Sequence, residues 1–177
     1  MIQLISKSLR IFLLGITPLF LIASGSKTEE AYLDLQAGVY QFEFSGLVDQ
    51  KSTGEAYFKN IVETDLVGKK VNSFELSFRS KDNSDIEFII SSRSIGLNGI
   101  ISGVYKIKNL DQLIHRFNGV YGFADISEFS ELPFFVKTGS ITIDETLAEG
   151  IVGSLEVKFE NANKELLYVN GFFNAKQ

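Results

Sequence analysis

Between positions 72 and 79 the chain alternates without a break. Phe74, Leu76 and Phe78 fall on one side, and Ser73, Glu75, Ser77 and Arg79 on the other. A strand sends successive side chains to opposite faces, so this segment predicts a β-strand with one dry and one wet face. The period of two recurs wherever the chain is apolar. Tyr40, Phe42 and Phe44 alternate with Val39, Gln41 and Glu43, and Ile86, Phe88 and Ile90 repeat the pattern. Residues 55–62, 103–108, 117–123, 140–144, 151–159 and 166–173 read as further strands. In 151–159, Leu155, Val157 and Phe159 share a face opposite Ser154, Glu156 and Lys158.

The links between these segments carry turn chemistry. Asp49, Ser52 and Gly54 mark one turn-like stretch, Ser80-Lys81-Asp82-Asn83-Ser84 a hairpin turn, and Asn161-Ala162-Asn163-Lys164 another. Two short segments favour a helical turn instead: 109–115, with Asn109 as cap and Leu110, Leu113 and Ile114 apolar, and 28–35. Parallel βαβ units would need longer crossover helices. The expected fold is therefore all-β, an antiparallel β-sandwich of eight or nine strands, with a lipocalin-like β-barrel as the alternative. With 16 Phe and 6 Tyr but no Trp and one Met, the core must be built largely on phenylalanine.

The first 25 residues stand apart. Lys7 and Arg10 precede an uncharged apolar run from Ile11 to Ala23, and Ala23-Ser24-Gly25 supplies small residues. A positive flank, a short apolar stretch and a small-residue site are the three zones of a secretory signal peptide. The expected organisation is a signal peptide over 1–25, cut before Ser26, and a single β domain over 26–177. The protein is then exported, periplasmic or secreted. The alternative is an uncleaved N-terminal membrane anchor, which wants about 20 apolar residues.

Several function classes are excluded. The chain has no cysteine, hence no disulfide framework, thiolate nucleophile, iron–sulfur site or lipidated N-terminal Cys. Removing Lys7 and Arg10 from a chain of formal charge −5 leaves −7 over residues 26–177. No concentrated basic stretch exists to neutralise phosphates, so nucleic acid is not an expected partner.

No motif assembles a reaction centre. His115 is the single histidine, and no Gly-x-Ser-x-Gly element accompanies it. Asp82-Asn83-Ser84-Asp85 lacks the central Gly and distal Glu of a calcium loop and reads as a turn. Asp144, Glu145 and Glu149 read likewise, and Gly96, Gly99 and Gly103 lack phosphate-loop spacing. No catalytic, metal or cofactor-binding residue is expected. The aromatic content is the one feature with functional reach: Tyr40, Tyr57, Tyr105 and Tyr121 lie in predicted strands. Phe134-Phe135 and Phe172-Phe173 are adjacent pairs, which need apolar cover on both faces or leave one ring exposed.

Residues 139–144 (GSITID), 150–157 (GIVGSLEV) and 169–174 (VNGFFN) form an ending that resembles small exported β-rich proteins of Bacteroidota-type bacteria. These are often lipoproteins and carry a domain of unknown function. The resemblance covers roughly the last 40 residues, implies export and a β fold, and transfers no site. The absence of a Cys after the apolar run departs from the lipoprotein pattern. The expected function is a non-catalytic envelope interaction module with a protein partner. The alternatives are a β domain binding a small apolar ligand and a carboxylate-based hydrolase.

Overall fold

The computed structural model describes residues 35–64, 68, 70–81, 84–91, 102–107 and 119–177. Within them lie nine strands: β1 (Val39–Gly46), β2 (Gln50–Thr64), β3 (Lys70–Ser80), β4 (Asp85–Ser91), β5 (Gly103–Lys106), β6 (Gly119–Asp125), β7 (Phe134–Thr146), β8 (Gly150–Glu160) and β9 (Leu166–Lys176). No helix occurs among the described residues. The expected signal segment, the helical turn at 109–115 with His115, and Asp82, Asn83, Gly96 and Gly99 lie outside the described residues.

Consecutive long strands pair antiparallel from β1 through β4, then β6 through β9. β9 then returns to pair with β1 from Val39↔Asn174 to Gly46↔Leu167. Eight strands thus close on themselves as an antiparallel barrel. The sandwich expectation is corrected; the architecture is that of the barrel alternative. Period-two alternation is common to both, and what separates them is the β1–β9 seam, which joins the first and last of the nine described strands.

The ninth strand, β5, fills a gap. β6 and β7 pair only at Phe123↔Phe135 and Ala124↔Phe134. Farther along β7, β5 takes over from Gly103↔Ile143 to Lys106↔Ser140, and Ile107 bridges back to Val120. β7 also has two register shifts against β8, between Val136 and Thr138 and between Ile143 and Glu145. The first reverses which residues face inward, from Phe134 and Val136 to Ile141 and Ile143. Gly139, at φ +130°, follows it; a Cβ there would run into the Glu156 carbonyl.

The inward faces fill the barrel. Phe78 on β3 meets Phe173 on β9 with ring centroids 5.4 Å apart. Phe88 on β4 meets Phe159 on β8 at 5.9 Å. Both contacts join strands three ladder steps apart, so these rings meet across the interior. Phe78 also packs edge-on to Tyr40 at 5.5 Å and Phe42 at 4.7 Å. Phe74, Leu76, Phe88, Ile90, Phe134, Phe159 and Phe173 all have 0% exposure, so no water-sized space touches any of them. Tyr40 brings its one polar atom inside by sharing a hydrogen bond with Ser52 Oγ at 3.1 Å. Near the β6–β7 connection, Ile126 is buried and Phe129 packs on Phe44 at 5.8 Å.

Candidate functional site

Among the described residues the interior is occupied by buried side chains, and two open depressions lie on the outer wall. Ladder register decides which outward residues become neighbours. One row runs Tyr57, Ser77, Glu87, Phe123, Phe135 across β2, β3, β4, β6 and β7. Adjacent strands are about 4.8 Å apart, so Tyr57 and Phe123 stand about 14 Å apart with a small hydroxyl and a carboxylate between them. That spacing of large, small, acidic and large side chains is a groove: an open depression of about 330 Å³ lined by Tyr57, Ser77, Arg79, Asp85, Glu87, Phe123 and Asp125, among others.

The walls are held from behind. The Tyr57 hydroxyl donates to Glu55 Oε2 at 2.9 Å, which raises the Tyr57 pKa. Lys176, opposite Tyr57 where β2 meets β9, sits 5.1 Å from the Tyr57 ring centroid. At one end Arg79 Nε donates to Asp85 Oδ1 at 3.0 Å; beyond the other, Lys59 and Glu75 pair at 2.7 Å. The half-buried Glu87 carboxylate takes no hydrogen bond or ion pair from a described residue. Burial, and then the nearby Glu75, push its pKa upward; Asp85 adds to this and Lys59 opposes it. Asp125 stands directly opposite Asp85 on the β4–β6 ladder, a like-charge pairing.

Beside the groove the wall turns apolar. Phe135 is 53% exposed, next to Phe123 in register, and Tyr121 lies two residues along β6 opposite Ile89. A second, shallower depression of about 660 Å³ lies over β1, β7, β8 and β9. Its ring, Tyr168, has Lys158 5.6 Å from the centroid and packs against Gly46.

The adjacent phenylalanine pairs divide as strand geometry requires. Phe134 and Phe173 are fully buried inside, Phe135 is exposed, and Phe172 lies half-buried outside. Of the tyrosines singled out, Tyr40 is a core residue, Tyr105 packs against the core from β5, and Tyr57 and Tyr121 face outward. Asp85 proves to be a strand residue paired with Arg79 rather than part of a turn. Sequence reasoning passed over Ser77, Glu87 and Asp125, whose only signal was their outward parity. Among the described residues no group of three His, Asp or Glu side chains gathers to hold a metal. Comparison with known protein families, with curated proteins and with solved structures gives no match.

Proposed function

We propose that the chain is an exported, non-catalytic interaction module that binds a protein partner through the outer wall of its barrel. The observation that carries this reading is the pairing of a filled interior with exposed aromatic side chains outside. Phe135 and Tyr121 are exposed and Phe123, the register neighbour of Phe135, is half-buried on the solvent side, although rings already occupy the inside. A contiguous exposed apolar patch rimmed by charge is the usual mark of an interaction surface. Export rests on Lys7, Arg10 and the apolar run to Ala23. The outward faces of β1 and β2 bear Glu43, Lys51, Glu55 and Lys59, whereas a barrel that spans a bilayer turns an apolar band outward. The membrane contact this reading allows is an uncleaved N-terminus.

The test is native mass spectrometry of the protein purified from its own cell envelope. A stoichiometric protein complex that dissociates when Phe123 and Phe135 are both replaced by Ser is the expected result. A small apolar molecule retained by the isolated chain, with no such complex, overturns the reading in favour of a ligand carrier.

A further inference from the structure

The β6–β7 seam is the weakest joint of the barrel. β6 and β7 share two register pairs, whereas β1 and β9 share eight and β8 and β9 share eleven. The rest of that seam is closed by β5, which has four residues and is the shortest strand among the described residues. Gly103, Val104 and Lys106 are exposed, so Tyr105 and then Ile107, both half-buried, supply what β5 packs against the core. The side chains behind them are sealed: Val120, Ile141 and Ile143 are fully buried. A strand with so few buried contacts lies at the low end of local stability. β7 also runs on past β5. Residues 144–146 have no ladder partner on the β5 side among the described residues.

From this geometry we infer that β5 is an exchangeable strand: it releases from β7, and an extended segment of the partner protein takes its place against residues 140–143. The chemistry of that segment is read from the strand it replaces. It pairs antiparallel to β7, with large apolar side chains at the alternate positions held by Tyr105 and Ile107 and a polar one between, at Lys106. Main-chain hydrogen bonds to β7 supply affinity, and the two inward side chains supply selectivity. A segment longer than β5 gains further by continuing the ladder over residues 144–146. Phe135 lies on the same strand, so the incoming segment adjoins the exposed aromatic wall. The inference rests on the outer-wall reading and names the kind of partner segment it takes.

The probe is a capped, fluorescent peptide of residues 102–108 (SGVYKIK), titrated into the whole chain and followed by anisotropy. The parent should bind it weakly, because β5 competes for the slot. Tyr105→Ser, which loosens β5, should bind it about tenfold tighter. The chain has no cysteine, so a Val104→Cys, Thr142→Cys pair can lock β5 to β7 at one outward register position. Oxidising that pair should abolish binding and a reductant should restore it, which separates locking from misfolding even where Tyr105→Ser folds poorly. A peptide with Ser in place of both Tyr and Ile should not bind. In hydrogen exchange, the Ile107 amide, which donates to the Gly139 carbonyl at 3.0 Å, should open about 100-fold more readily than amides of the β8–β9 ladder. Equal exchange in both places, binding that survives the cross-link, binding of the serine peptide, or no gain with Tyr105→Ser each overturns the inference. So does a partner complex that the cross-linked chain retains, and that outcome leaves the outer-wall reading standing.

Discussion

Phe78 is the side chain on which most of the interior converges. It touches Tyr40, Phe42, Phe88 and Phe173, three of them at steep ring angles of 73° to 76°. Its exposure is 1%, so truncation opens a cavity on four sides. Phe78→Ala should cost about 3–5 kcal/mol, read as a lower midpoint in urea with little change in slope. Phe78→Leu should cost less because it keeps most of the volume. The same row of strands supplies the contrast one residue away. Ser77 and Glu87 point outward and are only half-buried, so their replacement should move the unfolding midpoint far less.

At the scale of elements, the β8–β9 hairpin shows how one polar side chain can hold a turn. Asn161 Oδ1 accepts from the backbone N–H of Asn163 at 3.0 Å and of Glu165 at 3.1 Å. Its Nδ2 donates to Ser130 Oγ and to Glu165 Oε2, which ties the β6–β7 connection to the hairpin. Asn161 is 3% exposed, so Asn161→Ala leaves two backbone donors poorly satisfied. It should cost about 1–3 kcal/mol in chemical denaturation. Asn161→Asp should also destabilise, because it keeps the acceptor but sets a carboxylate against Glu165.

These elements were unevenly legible. The β8–β9 hairpin could be read directly, since Leu155, Val157 and Phe159 and then Asn161–Lys164 announce strand and turn. β7 could be read only in its second half. The shift at Val136–Thr138 breaks the parity that links Phe134 to Ile141, so no single alternation spans the strand. The start of β2 was hidden for a different reason. Ser52 and Gly54 look like turn residues, yet Ser52 partners Tyr40 inside the barrel and Gly54 lies under the Tyr40 ring. The groove was less legible still. Tyr57 stood out as an aromatic, but its relation to Glu87 and Phe123 exists only once four strands are in register.

For the molecule as a whole, closure is the decisive contact. β1 and β9 pair over eight consecutive positions, and β8 lies on the other side of β9 along its full length. Removing residues 166–177 therefore strips two ladders at once and opens Phe42, Phe78 and Phe159 to water. The shortened chain should lose its cooperative unfolding transition and bind a dye that reports exposed apolar surface. The intact chain should refold on the slow scale of milliseconds to seconds, because its closing contacts join residues 39–46 to residues 167–174.

The β1–β9 seam also imposes an order in time. A chain delivered N-terminus first, from a ribosome or through a translocation pore, presents β1 early and its partner β9 last. Throughout that interval β1 has bare N–H and C=O groups along one edge, with Phe42 and Phe44 beside them. A neighbouring copy at the same stage offers an equivalent edge. Crowded synthesis should therefore be the hazardous moment for this protein, and a holding factor that shields one strand edge until the eleven residues of β9 arrive would be enough to remove it.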